Sequence, residues 1–187
     1  MDWNTLSNEC MQCRKCGLCE GRRHVVFGTG NREAEILLVG EGPGEQEDLQ
    51  GEPFVGPAGR LLDDLLDLID LDRRKVYIAN IVKCRPPGNR DPSNEEQQAC
   101  LPYLRAQTAP IRPKIIVCLG RIAAGRILHE EYRISREHGQ WTERSGVWLT
   151  ATFHPSALLR SDQYRAAAWE DLKGLRAKAE EICTHTF

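Results

Sequence analysis

No stretch of this 187-residue chain stays apolar for longer than about five residues, far short of the roughly 20 that a membrane-crossing helix needs. The N-terminal MDWNTLSNEC carries an acid at position 2 and has no apolar segment, so it does not read as an export signal. Internal repeats and low-complexity segments are also missing. A net charge of −2 supplies no global basic field to announce nucleic acid. These absences leave one domain, residues 1–187, of a size that can bury a proper core. It is expected in the cytoplasm, as a monomer with no membrane partner. Arginine supplies 19 of the 25 basic residues; it suits forked phosphate contacts, although GC-rich codon usage produces the same skew.

Cysteine, by contrast, is plentiful, with eight in the chain. Without export, that number points to a reducing compartment and to metal binding over disulfides. Cys10, Cys13, Cys16 and Cys19 form a near-periodic run, of which three could bind one cluster, as in the C-x2-C-x2-C stretch of ferredoxins. A second set joins Cys13 and Cys16 to Cys84 and Cys100. Cys84 sits in the Pro/Gly-rich KCRPPGNRDP, directly after an apolar strand. Cys100 lies about two turns into a helix opened by the capping signal Ser93-x-x-Glu96. A fold can fix both positions. Four such thiolates would close one tetrahedral site or one cubane and tie an N-terminal arm, about residues 1–24, to the middle of the chain. Cys118, inside the apolar run Ile115–Leu119, reads as a small buried hydrophobe, and Cys183 as a spare thiol.

Ile36–Val39 is a short apolar run ending in the glycine-rich GEGPG, a buried strand entering a loop. Ala58, Leu61, Leu62, Leu65, Leu66 and Ile69 then fall on one helical face. Further strands are expected at Val76–Val82, Ile115–Leu119 and Val147–Phe153, the last flanking, with Trp141–Glu143, the turn Arg144–Gly146. Helices are expected at Glu95–Thr108, around Ile122–Leu128 and at about Arg165–Ile182. This alternation predicts a three-layer α/β/α fold with a central, mainly parallel sheet of about four strands. Ligands of such folds bind beyond the carboxyl ends of the strands. The four unusual loops, Glu41–Asp48, Lys83–Pro92, Gly120–Arg121 and His154–Arg160, all lie there.

GEGPGEQED (Gly40–Asp48) lacks the G-K-S/T ending of a Walker loop and is not G-x-G-x-x-G. Its glycines let backbone amides approach a ligand, while Glu41, Glu45, Glu47 and Asp48 would repel a polyphosphate. Acids so placed suit positioning a water or stabilising a cation, unless the segment is only a solvated turn. Phe54 stands in GEPFVGPAG, a loop too short and polar to bury it easily, where its ring could stack on a flat ligand or plug the core's edge. Asn80, inside a strand, needs its amide satisfied, by backbone or by the edge of a base. Lys83, Arg85 and Arg90 flank Cys84 with no acid among them, and could meet phosphate or form a solvated face. In HPSALLR, Ser156 and Arg160 suit phosphate contact, and the exposed-looking Leu158 and Leu159 could wedge into a base stack.

Taken in order, the Cys13/Cys16 pair, VVFGTGN (Val25–Asn31), VGEGPGEQED (Val39–Asp48), GEPFVGPAG (Gly51–Gly59), YIANIVKCRPPGNRDP (Tyr77–Pro92), Cys100, LGRIAA (Leu119–Ala124) and HPSALLR (His154–Arg160) resemble family 4 uracil-DNA glycosylases, the iron–sulfur branch of that superfamily. The strings cover about residues 10–175. The resemblance implies a [4Fe–4S] cluster on Cys13, Cys16, Cys84 and Cys100, with 67 residues between the inner pair and 15 between the last two. Cys10 and Cys19 fall outside that pattern. It also implies an intracellular, nucleoid-associated enzyme of base excision repair acting on uracil-containing DNA, single- or double-stranded. Such an enzyme, a monofunctional hydrolase, extrudes deoxyuridine into a pocket and cleaves its N-glycosidic bond with water, leaving an abasic site.

On that likeness Phe54 stacks on the uracil, Asn80 reads its pairing edge, amides around Gly42 hold a carbonyl, and Asn89 supports the site. His154 donates to the uracil oxygen that gains charge, and Glu41 positions water or stabilises the sugar cation. Arg85, Ser156, Leu158, Leu159 and Arg160 would meet the DNA. One departure stands out. Family 1 enzymes carry G-Q-D-P-Y in the first motif, with an aspartate for water and a tyrosine against thymine's methyl group; here those slots are Gly42 and Gly44. Glu41, or else Glu47 or Asp48, then handles water, and Glu47 becomes the steric guard against thymine. Two alternatives are a non-catalytic iron–sulfur nucleic-acid-binding module and a related glycosylase with another base range or covalent trapping. The trapping branch carries a histidine-bearing basic loop after the second strand, whereas CRPPGNRDP has no histidine.

Overall fold

The computed structural model describes residues 1–187. The chain begins with helices α1 (Trp3–Met11) and α2 (Leu18–Gly21) and a two-residue strand β1 (Thr29–Gly30), followed by β2 (Ile36–Gly40), α3 (Glu45–Gln50), α4 (Pro57–Asp67) and β3 (Val76–Asn80). Its second half runs α5 (Asn94–Ile111), β4 (Ile115–Leu119), α6 (Arg121–Ile127), α7 (Ile134–Glu137), β5 (Thr142–Arg144), β6 (Val147–Thr152), α8 (Pro155–Arg160) and α9 (Arg165–Ile182). No helix is long and apolar enough to cross a membrane.

The four apolar runs pair in parallel as β3-β2-β4-β6, in the middle of a six-stranded sheet of order β1-β3-β2-β4-β6-β5. The sheet exceeds the expected four strands because β1 and β5 add short antiparallel edges to β3 and β6. Such brief edges leave few unpaired backbone groups for another chain to capture. Burial of both faces explains why β2 and β3 are apolar at nearly every position. On one face Leu37, Val39, Tyr77, Ala79 and Cys118 meet side chains of α1, α5 and α6. On the other, Ile36, Leu38, Val76, Ile78 and Val117 meet Leu62 and Leu66 of α4 and Leu172 and Leu175 of α9. The result is three layers, α/β/α.

Local signals start the helices that matter to the site. Ser93 Oγ accepts from the Glu96 amide, and the Glu96 carboxylate accepts from the Ser93 amide, closing the expected capping box of α5. Asp2 caps α1 by accepting from the amides of Asn4 and Thr5.

The chain's last residues return to the start of β2. The buried carboxylate of Glu35 pairs with Lys114 at 2.7 Å and accepts from the amides of Thr184 and His185 and the hydroxyl of Thr186. Burial alone would raise this carboxyl; Lys114 and the tail's hydrogen bonds hold it well below the ordinary carboxylate value of 4.5. Its lowered pKa stabilises the fold above that value, and the contribution disappears as pH falls toward the folded-state titration. Glu35→Gln should lower stability at neutral pH by about 1–3 kcal/mol, with the gap to wild type narrowing in acid. Denaturant midpoints across pH read this directly, and equal midpoints at pH 7 would show that the tail is held by something else.

Candidate active site

The carboxyl ends of the four parallel strands surround a cavity of about 940 Å³. β2 delivers Glu41 and Gly42, β3 delivers Asn80, β4 leads to Gly120 and Arg121, and β6 leads to His154; all six line the cavity. The strand order turns at β2, whose neighbours are β3 on one side and β4 on the other. That is the switch point at which doubly wound sheets open a crevice.

Gly40 and Asn80 are partners in the β2–β3 register. A Cβ at residue 40 would stand 2.5 Å from the Asn80 Oδ1 and 2.7 Å from the Phe54 ring, so only glycine lets these two groups share a wall. Asn80 is 2% exposed, and its Oδ1 has no hydrogen-bond partner. A buried acceptor left unpaired is uncommon, and this one stands at the wall of a cavity. It is not a strand residue satisfied by backbone.

Phe54 is buried with φ at +53°, a left-handed conformation unusual for a bulky side chain. Arg73 holds it there. One guanidinium nitrogen donates to the Pro53 carbonyl at 2.9 Å, another to the Phe54 carbonyl, and a third pairs with Asp63 at 2.7 Å. Gly59 completes the cradle, since a Cβ there would lie 1.8 Å from the Phe54 carbonyl oxygen. The ring settles 5.5 Å from that of His154, nearly parallel at 28°.

His154 caps α8. Its Nδ1 accepts from the Ser156 amide at 3.1 Å and lies 2.7 Å from the Ser156 hydroxyl. An amide donor at Nδ1 leaves the proton of the neutral ring on Nε2. Burial, with Arg160 nearby, pulls the imidazole down to about 4, so the ring is a neutral donor at physiological pH. Glu41 shifts the other way: burial first, then Asp91, pushes its carboxyl up to about 7, against Arg121 and Arg160. Asp91 and Arg121 themselves pair at 2.6 Å. The site thus joins an acid poised at neutrality, a neutral imidazole donor, a flat ring and an unpaired amide oxygen.

Several expectations need correction. Leu158 is buried beside Phe153 and Ala168 and cannot wedge into DNA; Leu159 alone of the pair is exposed. Lys83 does not reach phosphate. It is 1% exposed and donates to the Phe27 carbonyl and to Gln107 Oε1. Burial pulls its ammonium down to about 8, opposed by Cys100 and Cys10. Arg90 grips Glu96, and Arg85 donates to Asn89 Oδ1 at 2.7 Å, so the basic cluster disperses. Asp48 is buried and accepts from the amides of Arg23 and His24, away from any water-handling role. Glu47 lines the cavity, but its carboxylate is committed to the amides of Gly44, Val55 and Gly56, which locks α3 to the Phe54 loop. Gly42, Asn89, Ser156 and Arg160 line the cavity as well. Arg73, Asp91 and Arg121 are not singled out by sequence reasoning, although Asp91 and Arg121 lie in the Lys83–Pro92 and Gly120–Arg121 loops beyond the strand ends.

A second, small void lies between α1, α2 and α5, lined by Cys13, Cys16, Cys84 and Cys100, with Cys10 and Cys19 also on its wall. All eight cysteines are free thiols. Each of the four expected ligands faces a donor: the Lys15 amide lies 3.5 Å from Cys13 Sγ, the Leu18 amide acts on Cys16, Arg22 Nη1 lies 3.6 Å from Cys84 Sγ, and the Lys83 amide 3.2 Å from Cys100 Sγ. Burial pushes Cys100 up to about 11 and Cys10 up to about 12, so stable thiolates here need an electrophilic partner. No three Cys, His, Asp or Glu side chains stand as a group able to hold a single metal ion. Thiols spaced around a void with N–H groups aimed at sulfur suit a polynuclear cluster better than a lone ion.

Residues 27–173 match the Uracil DNA glycosylase superfamily. Among individual relatives, the Type-4 uracil-DNA glycosylase of Archaeoglobus fulgidus is 48% identical, over 94% of this chain and 90% of its own. The Type-4 uracil-DNA glycosylase of Thermotoga maritima is 44% identical, over 90% of each chain. That of Saccharolobus solfataricus is 39% identical, over 91% of this chain and 83% of its own. The α/β/α layers, the strand-end cavity and these likenesses agree: the chain belongs to the uracil DNA glycosylase superfamily.

Proposed function

We propose that the chain is a uracil-DNA glycosylase of DNA repair that binds uracil-containing DNA as a monomer, receives an extruded deoxyuridine in the strand-end cavity and hydrolyses its N-glycosidic bond. The observation that carries this reading is the unpaired, buried Oδ1 of Asn80, set beside Phe54 in the cavity to which His154 contributes a neutral donor. Uracil presents N3–H and O4 side by side, and an asparagine amide offers the matching acceptor and donor. Phe54 supplies the flat face on which the base rests.

The chemistry divides between two groups. As the C1′–N1 bond breaks, its electron pair passes to the uracil ring, and the His154 Nε2–H donates to the oxygen that gains charge. The ionised Glu41 carboxylate stabilises the electron-poor sugar and orients water, which adds hydroxide to C1′ and releases a proton. Phosphates on either side of the extruded nucleotide meet Ser156, Arg160 and the terminal guanidinium nitrogens that Arg85 keeps free of Asn89, and the exposed Leu159 takes the wedge position. No lysine lines the cavity, so no amine is placed to form a Schiff base, and the expected product is an intact abasic strand.

At the cysteine void, Cys13, Cys16, Cys84 and Cys100 would hold a [4Fe–4S] cluster. Bound there, the cluster fastens the N-terminal arm to α5 and to the segment after β3. The reaction itself is carried by the side chains of the cavity.

The primary test is release of free uracil from an oligonucleotide carrying a single deoxyuridine, with strand breakage only after alkali. A strand cleaved without alkali would contradict hydrolysis by water alone. In the same assay Asn80→Asp should sharply lower uracil excision and reduce the preference for uracil over cytosine, because the amide donor becomes an acceptor. Retention of both rate and selectivity would move base reading elsewhere.

The pH profile isolates Glu41. Its carboxyl sits near 7 and acts ionised, so single-turnover rates should climb through about pH 7 and level off above it. His154, neutral above about 4, adds no limb in that range. Glu41→Gln should be slow and flat across the same range; a sloping profile in that variant would assign the titration to another group.

Anaerobically purified protein should be brown, with about four irons per chain. Cys84→Ser should lose the cluster or much of the fold, while Cys19→Ser keeps the visible spectrum. Stoichiometric zinc in a colourless, active preparation made with ample iron would overturn the cluster assignment.

A further inference from the structure

We propose that Lys83 is the buried counter-cation of the cluster, an inference that rests on the cluster reading above. Lys83 heads the fully buried side chains by volume, at 1% exposure. Its ammonium touches only neutral oxygens: the Phe27 carbonyl at 3.0 Å and Gln107 Oε1 at 2.7 Å. Gln107 is itself fully buried, and its amide nitrogen donates to the same Phe27 carbonyl at 2.9 Å. No carboxylate pairs with the lysine. A buried charge without a partner of opposite sign is strongly unfavourable, and hydrogen bonds to neutral groups offset only part of that cost.

The groups able to supply negative charge nearby are sulfurs. Lys83 lines the cysteine void together with Cys10, Cys84 and Cys100, and its amide donates to Cys100 Sγ at 3.2 Å. Cys84 is the next residue in the chain. Four thiolates around a [4Fe–4S] core in its resting state leave roughly two net negative charges. Of the three cations on the wall of the void, Lys15 is exposed, and two others are buried or half-buried. Lys83 is one. Arg22 is the other, with Nη1 2.6 Å from the Cys13 carbonyl and 3.6 Å from Cys84 Sγ, and likewise without a carboxylate partner. The one acid felt by Cys16, Glu96, is already paired with Arg90 at 2.7 Å. Cluster and lysine therefore each remove the other's desolvation cost. Reduction adds an electron to the cluster, so a fixed positive charge beside it favours the reduced state.

A plainer role for Lys83 is a neutral staple between Phe27 and α5, and two variants separate the possibilities. Lys83→Met keeps most of the volume and removes the charge. Gln107→Glu keeps the lysine's own contacts and gives the ammonium a carboxylate partner, at the loss of the amide's donation to the Phe27 carbonyl. Iron content of the wild type comes first: absence of iron would end the cluster reading, and this inference with it. With about four irons present, both variants should shift the cluster's midpoint potential to more negative values in an EPR-monitored redox titration. Both should also release iron to a chelator at least about tenfold faster, the scale of a lost charge-assisted contact. If Lys83→Met does not fold, Gln107→Glu decides alone. Wild-type potential and wild-type iron release in Gln107→Glu, with its four irons retained, would leave Lys83 a staple and overturn the proposal.

Discussion

The site depends on a close approach at the end of β2. Gly40 and Asn80 face one another in register, and the space left by the missing Cβ is filled by the Asn80 amide and the Phe54 ring. Everything around the cavity maintains that contact. Arg73 ties down the carbonyls of Pro53 and Phe54, Gly59 makes room for the backbone to turn, and Glu47 fastens the far side of the loop to α3. The left-handed Phe54 backbone costs free energy on the order of 1–3 kcal/mol. It persists because three separate elements over-determine it.

The four central strands were legible because burial on both faces forces continuous apolar runs, and continuous runs survive as a signal without any alternation. The edges were not. β1 is two residues long and lies within VVFGTGN, where no periodicity can develop. α3 was read as an acidic loop because its residues follow three glycines, and Asp48 and Glu47 looked free for chemistry. Folding the segment into a helix turned Asp48 into the core and gave Glu47 three amides to cap. The paired leucines of HPSALLR illustrate a simpler rule. Successive helical residues are rotated by about 100°, so one of two adjacent leucines can face the core while the other faces out; Leu158 goes in and Leu159 out. Lys83 was misjudged for the opposite reason. A basic residue beside two arginines reads as surface, and nothing in composition reveals that Ile81, Val82, Lys83 and Cys84 are all buried.

Electrostatics at the cavity are arranged by burial more than by ion pairing. Glu41 and His154 are moved in opposite directions from their ordinary values by the same cause, the loss of water. Desolvation disfavours the charged form of either group. The consequence is a contrast within one cleft, where the imidazole stays a neutral donor and the carboxyl titrates near neutrality. Arg121 and Asp91, paired at 2.6 Å, bear on Glu41 with opposite signs. Pairs of titratable groups driven apart in this way are the usual mark of an acid–base assignment.

Two poorly compensated buried groups lie on one short piece of chain, apart from the unpaired Thr150 Oγ1 on β6. Asn80 ends β3 with an orphaned oxygen, which costs about 1–3 kcal/mol while it remains unpaired. Three residues later Lys83 buries a charge, and Cys84 follows. Between them the Ile81 amide donates to the Gly40 carbonyl and the Val82 amide to that of Glu41, while the Val26 amide donates to Lys83. This segment therefore touches the Asn80 amide, the end of β2 that carries Glu41 and the cysteine void in succession. A cluster bound at Cys84 and Cys100 would hold the segment from one end, and an extruded base would satisfy it from the other. A metal centre held there would act on the cavity through this segment, with the side chains of the cavity left to the reaction.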